Sequence, residues 1–138
     1  MRALLDTNIL IDYISLRPPF TDDAQAVLKL CMEGQIEGCI AVHSVTNAFY
    51  ILRKEFTADE RKSTLADLCR LLTVVGIDKD KIVSALENGD FSDVEDCLQV
   101  ECAKDFKADY IVTRNITDFQ NSTIPAILPD EFLRMVMK

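Results

Sequence analysis

The chain has 138 residues, 49% of them hydrophobic and 28% charged. That is enough apolar matter for one core and too little length for two, which excludes both a disordered chain and a multidomain one. Fifteen Lys and Arg stand against 23 Asp and Glu, a net charge of −8, which excludes a nucleic-acid binder working through a broad basic face, because phosphate neutralisation needs clustered cations.

Ala3–Leu5 is the first of four short apolar runs of strand length, followed by Cys39–Val42, Val74–Ile77 and Tyr110–Thr113. None alternates much, the pattern of strands covered on both faces in a parallel sheet. Asp6 follows the first run directly, and Thr7 and Asn8 complete a polar turn before Ile9–Ile11. Two roles stay open for Asp6: a helix N-cap, or a ligand at the strand's carboxyl end. Val45, Phe49, Leu52 and Phe56 recur at helical spacing as a core stripe, with Asn47 in the first turn behind Ser44. Thr57–Glu60 reads as a capping box opening the next helix. Ser92–Glu95 reads as another, in which Glu95 turns back to the start of a helix running through Leu98, Cys102 and Phe106.

Between Glu87 and Asp96 lie five carboxylates and no cation. Asp93 suits the solvated first turn of that helix, where the dipole favours negative charge; Asp96, beside Cys97 and Leu98, is the better ligand candidate. After the last apolar run, Asn115 and Asp118 stand three apart in a polar turn, a spacing that also fits an Asx-type turn. Alternating strands and helices predict an α/β fold, a three-layer α/β/α sandwich around a central, mostly parallel sheet, formed by residues 1–138 as a single domain. Ligands of such sheets bind beyond the carboxyl ends of the strands. Asp6, Asp96 and Asp118 are expected to converge there, and three hard oxygen ligands suit Mg²⁺ or Mn²⁺.

Other chemistries have less support. The four glycines form neither a dinucleotide nor a phosphate-binding loop. His43, the only histidine, has no Ser or Cys partner that spacing supplies, and is expected to be a satisfied strand-end residue. The five cysteines lack a CxxC pair and are expected to be reduced, mostly buried small hydrophobes. Arg53, Lys54, Arg61 and Lys62 form the one basic neighbourhood, and Arg114 adds a cation next to the expected site. No apolar run reaches the roughly 18–20 residues of a membrane span and the opening is too short for a signal peptide, so a cytoplasmic protein without membrane contact is expected.

Four segments carry a family likeness: LLDTNILID (4–12), VTNAFYILRK (45–54), DVEDCLQ (93–99) and ADYIVTRNITDF (108–119). In that order, spread over most of the chain, they resemble the PIN domain family. The resemblance implies a Rossmann-like fold and a divalent-metal-dependent nuclease, most often an endoribonuclease acting on RNA. It includes the toxin half of toxin–antitoxin pairs, and with it an antitoxin partner and a homodimer. Residue by residue, Asp6, Asp96 and Asp118 match the family's catalytic, metal-binding acids. Asn8 and Thr113 match the polar residues flanking them, and Asn115 stands where many members have a further Asp. With Asn47 and Asp93, these are the candidates for orienting ligands or substrate. Asn47 departs from the pattern, standing where many members carry Glu; a neutral carbonyl oxygen adds no charge to a metal site. That departure, with the odd fit of strong net acidity to an RNA substrate, supports a rival reading, a catalytically weak PIN-like module acting through protein binding. A receiver-like phosphoacceptor also gathers acids at strand ends, but it needs a lysine where this chain has Arg114.

Overall fold

The computed structural model describes residues 1–138, and the unalternating apolar runs become strands buried on both faces. In β1 (Arg2–Leu5), Ala3 and Leu5 enter a core of 19 buried residues, while Leu4 enters a second core of 11 on the opposite face. The division recurs in β2 (Glu37–Ala41), where Ile40 joins the larger core and Cys39 and Ala41 the smaller. Thr73–Val75 (β3) and Tyr110–Val112 (β4) complete the four expected strands. A fifth, Ala126–Ile127 (β5), was not expected from the sequence: it has two half-buried residues, too few for a hydropathy period. All four strand pairings are parallel, in the order β3-β2-β1-β4-β5.

Seven helices cover the sheet: α1 (Thr7–Ser15), α2 (Thr21–Met32), α3 (Val42–Ile51), α4 (Ala58–Leu71), α5 (Lys79–Glu87), α6 (Val94–Phe106) and α7 (Pro129–Val136). Ile9, Leu10, Val27, Leu28, Ala48, Leu65 and Phe132 place α1, α2, α3, α4 and α7 on the larger core; Val100, Cys102, Ala103 and Phe106 place α6 on the smaller. Ala85 seats α5 against Cys97 and Leu98 of α6. No helix is long and apolar enough to cross a membrane, and all five cysteines are free, three of them buried.

Three local expectations change. The core stripe holds, with Leu52 fully buried and Val45, Phe49 and Phe56 packed around it, but α3 stops at Ile51 and a 3₁₀ turn, Leu52–Lys54, finishes the stripe. The capping box at Thr57 and Glu60 forms with both bonds, 3.1 and 2.8 Å. The one expected at Ser92 does not. Asp93 is the N-cap of α6, its carboxylate accepting from the Glu95 and Asp96 amides at 2.8 and 3.4 Å. Asp caps as well as Ser, so the helix starts one residue later and Glu95 has no capping duty. Arg114 leaves the expected site altogether. Its guanidinium forks onto the buried Asp12 carboxylate through Nε and Nη2 and lies 4.1 Å over the Phe20 ring. Arg61 is likewise structural, donating to the Phe49 and Phe56 carbonyls.

The chain order in the sheet reverses beside β1 and β4, the switch point at which a crevice opens beyond the strands' carboxyl ends. Asp6 and Thr113 are the first residues past those two strands, joined where the Asp6 amide donates to Val112 at 3.0 Å.

Candidate active site

Five elements meet at that crevice, each contributing polar side chains. Asp6 comes from the end of β1, Asn8 from the first turn of α1, His43 and Asn47 from α3, Glu95 and Asp96 from α6, and Asn115 and Asp118 from the turn after β4. They line one cavity of about 280 Å³. The sequence candidates Asp6, Asn8, Asn47, Asp96, Asn115 and Asp118 are thus brought together. Thr113 is fully buried beneath them, and Asp93 sits in an adjoining hollow shared with Asp96 and Asp118.

Asp6 is held from four sides. Its Oδ1 accepts from the Thr7 amide at 2.7 Å and from Gln99 Nε2 at 3.1 Å; its Oδ2 accepts from Thr113 Oγ1 at 2.8 Å and Asn8 Nδ2 at 3.3 Å. The two roles open for this residue coexist, because one oxygen caps α1 while the carboxylate faces the cavity. Burial raises the Asp6 pKa, and the donors Thr113 and Thr7 work against it. Thr113 also accepts from the Asn115 amide at 3.0 Å. The Asn115 side chain caps nothing, so the Asx-type turn does not form; a backbone bond from Asp118 to Asn115, 3.1 Å, closes the turn instead.

Gln99 was not among the sequence candidates. Only 3% exposed, it places Nε2 within reach of Asp6, Ser44 Oγ (2.9 Å) and Thr7 Oγ1 (3.3 Å), tying α6 to β1, α1 and α3. Its Oε1 has no partner. The available signal was an amide inside the otherwise apolar run Cys97–Val100, where burial is costly unless bonded.

A family model described as the PIN domain matches residues 2–117. The chain belongs to the PIN domain family. Its fold is shared by VapBC2 from Rickettsia felis bound to a promoter DNA fragment (TM-score 0.65, 18% identity, 93% of this chain and 98% of that one). A toxin–antitoxin complex from Klebsiella pneumoniae gives 0.66 and 22% over 92% and 97%, and FitAcB from Neisseria gonorrhoeae 0.62 and 17% over 92% and 97%. No curated protein matches the chain significantly.

In this PIN domain the crowding of acids is felt most at Asp96. Burial pushes its pKa up to about 7, assisted by the negative charges of Asp93, Asp118, Asp6 and Glu95. No three carboxylate, imidazole or thiol groups stand close enough to hold an ion as they lie; the acids ring the cavity without touching. The donor set is nonetheless hard oxygen, with a carboxyl whose ionised form lacks a compensating cation. That is the chemistry a Mg²⁺ or Mn²⁺ ion fits. His43 is not the satisfied strand-end residue expected. It opens α3 and lines the cavity, with Nε2 3.2 Å from the Glu95 carbonyl and Nδ1 buried without a partner. Burial lowers its pKa, against the pull of Glu95, Asp6 and Asp93.

Proposed function

We propose that this PIN domain is a divalent-metal-dependent endoribonuclease, the cytoplasmic toxin of a toxin–antitoxin pair. One observation carries the reading: Asp6, Glu95, Asp96 and Asp118 surround a single cavity at the sheet's switch point. The antitoxin partner is carried over from relatives whose structures are toxin–antitoxin complexes, and RNA from the family resemblance.

Asp6, Asp96 and Asp118 would hold Mg²⁺ or Mn²⁺, with Glu95 as a fourth carboxylate on the same wall. A bound ion supplies activated water and neutralises charge at the scissile phosphate. The chain's own part is positional. Thr113, Asn8 and Gln99 fix the Asp6 carboxylate, the kind of support that keeps a ligand oriented. Asp93 sets the first turn of α6 and thereby Asp96. The free Asn115 amide can orient a phosphate oxygen or a water. The catalytically weak alternative rested on Asn47 and on the net acidity; with Glu95 in the cavity the site keeps four carboxylates, and a cation bound there would reverse the local sign of the field, which favours the active reading.

Incubation of an oligoribonucleotide with the protein in Mn²⁺, against the same mixture in EDTA, tests the proposal. Cleavage in Mn²⁺ alone is expected; no cleavage in either, or cleavage insensitive to EDTA, contradicts it. Asn47→Glu adds a carboxylate to the cavity wall and is expected to tighten Mn²⁺ binding about tenfold in calorimetry. Unchanged affinity would place Asn47 outside the site's electrostatic reach.

A further inference from the structure

Arg17 is the only lysine or arginine lining the cavity. Its backbone is fixed: the amide donates to the Asp12 carbonyl at 3.3 Å, and its own carbonyl accepts from Phe20 and Thr21 at 2.9 and 2.8 Å. Its side chain is not. It is 44% exposed, and its one ion-pair partner is Glu55 at 3.8 Å, itself 43% exposed. Such a loose surface pair contributes little to stability, so structure does not account for a guanidinium at this place.

The position is informative. Asp6 stands at the start of α1 and Arg17 two residues past its end, and at about 1.5 Å rise per residue nine helical residues separate the two by roughly 13 Å along the axis. That is far longer than any ligand bond to an ion held by the acids. Ile51, the last residue of α3 and 43% exposed, lines the same cavity, an apolar surface for a sugar or base. A polyanion approaching a cavity ringed by four carboxylates meets one answering cation, and a guanidinium fork matches phosphate oxygens.

We infer that Arg17 is a substrate-binding residue that grips a phosphate flanking the scissile one, so that the bound strand runs from the acids past Ile51 to the end of α1. The inference rests on the nuclease reading. The test is steady-state cleavage of a single-stranded oligoribonucleotide in Mn²⁺ over a range of NaCl, for the parent, Arg17→Gln, Arg17→Lys, Glu55→Gln and the remote control Arg70→Gln. Arg17→Gln is expected to raise KM about tenfold at unchanged kcat, and to reduce the slope of log KM against log salt by about 0.7, one phosphate contact on a single strand. Arg17→Lys should restore the slope, Glu55→Gln should lower KM by removing a competitor for the guanidinium, and Arg70→Gln should match the parent. An active parent with unchanged KM and slope in Arg17→Gln overturns the assignment alone. So does a fall in kcat at constant KM, or a KM that rises equally in Glu55→Gln. A parent inactive in Mn²⁺ removes the nuclease reading and this inference with it.

Discussion

Asp96→Asn is expected to cut metal-dependent RNA cleavage by at least about a hundredfold, the upper end of what losing even an indirect metal contact costs, and to stabilise the metal-free protein. The substitution keeps the shape of the side chain and removes a charge that burial and four neighbouring carboxylates oppose. The pH dependence has a definite sign. The Asp96 pKa rises from an ordinary 3.8 to about 7 on folding, so within that window the native state holds a proton the unfolded chain lacks. Stability must then fall as pH rises across the window and level off above it. Urea midpoints in EDTA at about pH 5 and about pH 8 should differ in the parent and draw together in Asp96→Asn. A variant that cleaves like the parent and keeps the parent's pH dependence would show that Asp96 is neither a ligand nor the crowded group.

Arg114→Met is expected to destabilise the fold by about 3 kcal/mol, because it strands a buried carboxylate. Asp12 is 1% exposed and both its oxygens are taken by the Arg114 guanidinium; no other cation reaches it in the structure. Arg114 itself is 25% exposed, which puts the expected loss at the lower end for a broken buried pair. The double variant Asp12→Leu with Arg114→Met should recover most of it, since removing both partners leaves no unpaired charge. Chemical denaturation measures all three. Equal stability of Arg114→Met and the parent would mean that water reaches Asp12 and the pair is no tie between α1 and the turn after β4.

The contrast between these two arginines shows where sequence reasoning stops. Beside a predicted acidic turn, Arg114 reads as a site cation; only the fold reveals Asp12 one helical turn below Asn8, near enough to claim it. Arg17 has no local signal, because its relation to the acids depends on the length of α1 and on where Glu55 emerges after α3. The strands were legible since burial on both faces removes alternation, whereas the order β3-β2-β1-β4-β5 was not, because nothing local in an apolar run says which other run it pairs with. The convergence of Asp6, Asp96 and Asp118 on one cavity was legible from their places beyond strand ends and at the start of a helix. Glu95 was assigned to a capping box because Ser92 and Asp93 are equally good caps, and a shift of one residue changes what the following glutamate does. His43 and Gln99 were missed as site residues because each is brought to the cavity by tertiary packing, at separations of 37 and 93 residues from Asp6 that no periodicity spans.

The acids at the carboxyl ends of β1 and β4 and the start of α6 are proposed to form one cation site. Thermal melting with and without Mn²⁺, at matched ionic strength, tests it in the parent and in Asp6→Asn, Asp96→Asn and Asp118→Asn. An ion bound only by the folded protein raises stability by mass action, about 2.7 kcal/mol at a hundredfold excess over its dissociation constant, whereas screening of the −8 net charge acts on all four proteins alike. A Mn²⁺-specific rise in Tm is expected for the parent and a smaller one in every variant. Equal rises in all four proteins would contradict it.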